Sequence, residues 1–138
     1  MFMGRALIGL SLGIAAIALA LVGTAPTSDA QQAAKRTILQ KAELADLDQR
    51  EGVIITGEIP PGAETGRHTH PGTELGYLLE GSIVLEVEGT SPRTYKAGDT
   101  WILAPGQVHN AKGSGDTTAR TLVVYIMETG KPLASPAP

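Results

Sequence analysis

From Gly52 onward the chain is punctuated by turn-forming residues at short, regular intervals, which is the spacing of an all-β domain. Pro60-Pro61-Gly62, Glu80-Gly81, Gly89–Pro92, Ala97-Gly98-Asp99, Pro105-Gly106 and Lys112–Asp116 each mark a turn. Between them lie strand-like runs: Val53–Ile59, Thr73–Leu79, Ser82–Glu88, Pro92–Lys96, Thr100–Leu103, Val108–Ala111 and Arg120–Met127. Ser82–Glu88 alternates, with Ile83, Leu85 and Val87 on one face and Val84, Glu86 and Glu88 on the other. About seven or eight short strands with a turn roughly every 8–12 residues predict a sandwich or barrel.

The N-terminus is of a different character. Arg5 precedes Ala6–Gly23, an apolar and small-residue run of 18, and then the polar stretch TAPTSDA. Ser28 and Ala30 are placed as small residues before a cut at Gln31, so residues 1–30 read as a secretory signal peptide. The competing reading is an uncleaved anchor, but the run is shorter than the roughly 20 residues of a spanning helix. It is also diluted by Gly9, Ser11, Gly13 and several alanines. The expected location is secreted or periplasmic, with no stable membrane anchor after cleavage.

Residues 31–51 are expected to be an N-terminal arm, 52–128 the barrel and 129–138 a disordered tail. Within the arm, Arg36–Gln40 reads as a short strand and Lys41–Asp48 as one helical turn, from the spacing of Leu44 and Leu47. The net charge of −3 and the scattered basic residues offer nothing to nucleic acid. With no cysteine, the core must hold by packing alone, without disulfides.

All three histidines of the chain fall into one arrangement. His68 and His70, two apart on a strand, project from the same face. Glu74 follows after the Pro71-Gly72 break and can enter from the start of the next strand, and His109 comes from a remote one. Three imidazoles and one carboxylate suit a borderline divalent ion: Zn, Cu, Fe, Mn, Co or Ni. Calcium and magnesium would want more oxygen ligands. Four protein ligands leave two positions open on an octahedral ion and none on a tetrahedral zinc, and the ligand set does not decide between them.

The pattern resembles the cupin superfamily. Gly62, His68, His70, Glu74 and Gly81 match its first motif, and Gly98, Gly106 and His109 match part of the second, with sixteen residues between Gly81 and Gly98. Two positions depart from it. The usual proline is shifted to Pro105, and the asparagine usually four after the histidine is replaced by Gly113, with Asn110 directly after His109. The resemblance implies a small antiparallel jelly-roll barrel with a metal in its mouth, and a homodimer, for which Arg36–Gln40 is a plausible edge strand to exchange. It implies little about reaction.

Two functions follow as expectations. One is an exported metalloenzyme of dioxygenase, isomerase or lyase type acting on a small oxygen-rich substrate. The other is a non-catalytic ligand-binding or structural metal protein. No catalytic acid or base stands out beyond the ligands. Loading outside the cytoplasm would favour Zn or Cu. The four motif glycines are expected to be turn residues, Gly76 to open space beside the metal or to mark a bulge, and Trp101 and Tyr77 to be packing or interface residues. Gln107, Asn110 and Tyr125 are possible donors to the ligands.

Overall fold

The computed structural model describes residues 33–138, so the signal-peptide reading of residues 1–30 lies outside the described residues. Among those described, no helix is long and apolar enough to cross a membrane. The described residues form ten strands: β1 Lys35–Glu43, β2 Arg50–Ile59, β3 His68–Thr69, β4 Gly72–Glu80, β5 Ser82–Val87, β6 Arg93–Lys96, β7 Thr100–Leu103, β8 His109–Ser114, β9 Ala119–Glu128 and β10 Ser135–Pro136. They form two five-stranded antiparallel sheets, ordered β1-β2-β9-β4-β7 and β10-β3-β8-β5-β6. This is the jelly-roll arrangement the resemblance implies.

The strand alternation determines which side chains meet. Directly paired residues share a face, so the register Val53–Tyr125–Glu74–Leu103 sets one inward row across four strands of the first sheet. Ile55–Val123–Gly76–Trp101 sets the next. Ile83 and Leu85 of β5 and Tyr95 of β6 face them from the second sheet and close an aliphatic core. Burying each such side chain contributes about 1.5–3 kcal/mol.

The turn glycines behave as the punctuation predicts. Gly81, between β4 and β5, has φ 72°, a conformation costly for any residue with a Cβ, and Gly62, Gly98 and Gly106 are also left-handed.

Two expectations for the ends of the barrel are corrected. Residues 41–48 form no helical turn: β1 runs on to Glu43, pairing with β2 as far as Glu51, and the chain then turns back into β2. Edge pairing to β2 outweighs the weak helical spacing of two leucines. The segment 129–138 is not a free tail either. Ser135 and Pro136 pair with Thr69 and His68, and Leu133 packs against the core. Its prolines tolerate this because β10 is an edge strand.

Candidate metal centre

His68 and His109 come from neighbouring strands of one sheet, where their Cα positions pair directly. His70 follows β3, and Glu74 enters from β4 in the opposite sheet. All four are buried, between 3% and 6% exposed. One ring nitrogen of each histidine lies within 4.8 Å of the others. The structure therefore brings together all four residues that the sequence nominates.

The ring orientations are set by the backbone. His68 Nδ1 lies 2.7 Å from the Gly66 carbonyl, His70 Nδ1 2.5 Å from that of Leu133, and His109 Nδ1 2.9 Å from that of Gln107. A carbonyl oxygen only accepts, so each Nδ1 carries the proton and donates it. In the neutral ring that leaves the lone pair on Nε2. Anchoring of this kind is how metal-binding imidazoles are aimed.

Glu74 is held from the other side. Trp101 Nε1 donates to its Oε1 at 2.7 Å. Its Oε2 lies 3.0 Å from His70 Nε2 and 3.4 Å from His109 Nε2. These contacts bring the atoms close without the alignment of hydrogen bonds. His70 Nε2 and Glu74 Oε2 are both buried without a partner. Two lone-pair atoms facing each other in the interior are costly unless a cation or a proton stands between them. The donor set thus fits a divalent transition metal, which His68, His70 and His109 could hold beside the Glu74 carboxylate.

The electrostatics follow from this packing. Burial alone would raise the Glu74 carboxyl, but the His109 and His70 rings, which donate to it when they carry a second proton, and the Trp101 N–H outweigh burial and hold the group well below the usual carboxylate range. Burial lowers His68 to about 4, against the opposing pull of the Gly66 carbonyl and with help from the charges of His109, Arg36 and His70. Burial and the Glu74 charge push the Tyr125 hydroxyl up, keeping it protonated. Its ring lies 4.4 Å from that of His70.

A cavity of about 150 Å³ opens onto the cluster, lined by His68, Glu74, His109 and Tyr125 at its polar end and by residues such as Ile55 and Leu85 elsewhere. It leaves room for a small molecule beside the ligands.

Several neighbours differ from expectation. Trp101 does pack, but its N–H also positions a ligand candidate. Gly76 gives space to Trp101 rather than to the centre: a Cβ there would overlap the indole. The pairing of an inward glycine with an inward tryptophan was the available sequence signal. Asn110 faces away from the cluster, donating to Glu64 at 2.9 Å and accepting from Thr65. Gln107 contributes its carbonyl to His109, while its side chain bonds Ala104 N. At Gly113, where the motif departs, a Cβ would strike the Pro60 carbonyl, so this chain packs two backbones where the usual asparagine would not fit. Sequence reading also missed Arg36, whose Nη2 lies 2.9 Å from His68 Nε2.

Comparison with known proteins agrees with this picture. Over 71 residues, the chain is 34% identical to the oxalate-binding protein of Thermotoga maritima, covering 51% of this chain and 58% of that protein. It is 35% identical over 71 residues to germin-like protein subfamily T member 3 of Arabidopsis thaliana, covering 48% of this chain and 31% of that one. The chain thus spans less than two thirds of either relative. Among solved structures, an uncharacterized conserved protein with a double-stranded β-helix domain from Klebsiella pneumoniae superposes with a TM-score of 0.62 and 25% identity, covering 75% of this chain and 85% of that one. The cupin-domain family profile matches residues 55–125, more than half of the chain and both sides of the histidine cluster. The chain belongs to the cupin family.

Proposed function

We propose that this protein is an exported single-domain cupin that binds one divalent transition metal through His68, His70, Glu74 and His109 and presents it to a small oxygen-rich molecule. The observation that carries the reading is the pair of unpartnered buried atoms, His70 Nε2 and Glu74 Oε2, 3.0 Å apart. A bound metal would supply Lewis acidity or redox chemistry at the foot of the cavity. The chain's own residues do the rest. The three backbone carbonyls fix the imidazoles, Trp101 fixes the carboxylate, and the protonated Tyr125 is a donor beside it. Ile55, Ile83 and Leu85 form an apolar wall beside it. The name of the Thermotoga maritima relative supports a small ligand of oxalate size.

Export is supported by Arg5 and the apolar run Ala6–Gly23. A homodimer is supported by β1, an edge strand exposed along its length with Ile38 and Leu39 more than half exposed.

The test is the metal content of protein purified without added metal, with His109→Ala alongside. One equivalent per chain, lost in the variant, is expected. No metal in either protein would overturn the reading.

A second reading, in which the metal is a structural tie, is favoured by the candidate ligands coming from both sheets. It predicts a large fall in melting temperature on chelation and no small-molecule binding.

A further inference from the structure

Among the described residues, Arg36 is the one cationic side chain hydrogen-bonded to an imidazole of the cluster. It does not belong to the matched domain, residues 55–125, but to the exposed edge strand β1. Its Cα pairs with that of Gly57, so the side chain starts on the inward face, opposite a residue with no side chain to obstruct it. From there it crosses between the sheets to His68.

That contact uses the same electron pair a metal needs. Guanidinium only donates, and His68 Nδ1 is already committed as a donor to Gly66. The bond from Arg36 therefore ends on the Nε2 lone pair that points into the centre. Metal and guanidinium cannot share it. When a metal takes His68, Arg36 loses its acceptor while remaining at the cavity wall.

The cavity offers Arg36 no ready replacement. Of its two carboxylates, Glu74 is engaged by Trp101 and faces His70 and His109, and Glu64 accepts from Asn110 Nδ2 at 2.9 Å and has its charge matched by Lys112 at 3.8 Å. Lys35 lines the same cavity and adds positive charge. A planar fork of donors beside a metal suits a carboxylate, which can accept from the guanidinium and still reach the metal with its remaining oxygens.

We propose that Arg36 is the anion-binding half of the site: metal binding displaces it from His68 Nε2, and the freed guanidinium pairs with a carboxylate of the ligand. This deepens the reading of the cluster as a metal centre and rests on it. It makes the ligand a small organic anion rather than a neutral polyol or ketone. It also makes metal and anion binding cooperative, because one event creates the receptor for the other.

The chain's single tryptophan, bonded to Glu74, reports occupancy by fluorescence. Zinc is titrated first without anion, in wild type, Arg36→Gln and Arg36→Lys. Oxalate and its neutral diamide, oxamide, are then titrated calorimetrically into each zinc-loaded protein, with retained zinc measured afterwards. Arg36→Gln is expected to bind zinc at least as tightly as wild type, because a competitor is gone. It is expected to bind oxalate about tenfold more weakly or worse, the scale of one charged hydrogen bond, with Arg36→Lys between. In wild type, the Arg36 side-chain NMR resonance should shift on adding zinc.

Oxalate binding equal in Arg36→Gln, or oxamide bound as tightly as oxalate, would overturn the proposal while leaving the metal centre standing. Absence of zinc binding in wild type would overturn both. Thermal melting of the variants checks that substitution on this exposed strand leaves the barrel folded.

Discussion

Trp101 and Glu74 lie diagonally across the paired strands β7 and β4 of one sheet, and the indole N–H donates to Oε1 at 2.7 Å. Only Oε2 is left to turn toward the imidazoles. The bond thus decides which carboxylate oxygen meets the centre and at what angle. Trp101→Phe keeps most of the ring volume and removes the donor. Partners of this kind are worth about 10–100-fold in metal affinity, so the variant should bind zinc at least about tenfold more weakly. Competition against a chromophoric chelator reads this directly, and unchanged affinity would show that Glu74 needs no orienting.

Gly76→Ala should disturb the same contact from behind. A Cβ at position 76 overlaps the Trp101 ring, so the buried indole has to shift to admit it. Forcing an extra methyl into a packed core costs about 1–3 kcal/mol. For a domain of this size that corresponds to a fall of roughly 4–20 °C in melting temperature. The fall should be accompanied by a shifted tryptophan emission. A normal melting temperature would mean the ring relocates freely.

Deleting residues 132–138 should weaken the centre from a distance. The Leu133 carbonyl accepts from His70 Nδ1, and Ser135–Pro136 covers the strand carrying His68. Without them His70 loses its anchor. Zinc affinity is expected to fall about tenfold or more, with a lower melting temperature. Wild-type affinity in the truncated protein would show that the ring is fixed by other means.

The metal-free protein should lose stability in mild acid. His68 is lowered from the ordinary 6.5 to about 4 by burial and its charged neighbours. The folded state therefore prefers the neutral ring. Its contribution is fully present above about 6.5 and is lost as pH falls toward about 4. Glu74, also held below its ordinary range, is lost only in stronger acid. Melting temperature of the chelated protein, followed between pH 8 and about 4, should be level at first and then decline below the ordinary histidine range. A level curve throughout would contradict the assignment. Zinc affinity should fall over the same interval, because protons compete for the ligand atoms.

Much of the barrel could be read because its turns need residues that few others can replace. Gly62, Gly81, Gly98 and Gly106 all sit at positive φ, and the strands between the turns begin and end within a few residues of where those breaks place them. The candidate ligands were legible for a similar reason: the chain has only three imidazoles, and all three fall at fixed strand offsets around one carboxylate. Contacts that depend on tertiary approach were not legible. Nothing local distinguishes Arg36 from a surface arginine until β1 pairs with β2. The tail's order was hidden because β10 supplies only two paired residues and carries proline. The final turn of the arm was misread because Leu44 and Leu47 share a spacing that a tight reversal also satisfies.

The three Nδ1 bonds all end on main-chain oxygens, those of Gly66, Gln107 and Leu133. A carbonyl is present whatever residue carries it. Substituting those side chains therefore leaves each tautomer in place as long as the backbone path is kept. In this protein, inheritance can alter the walls of the cavity, its charge and the molecule it admits, while the aim of the three imidazoles is passed on unchanged.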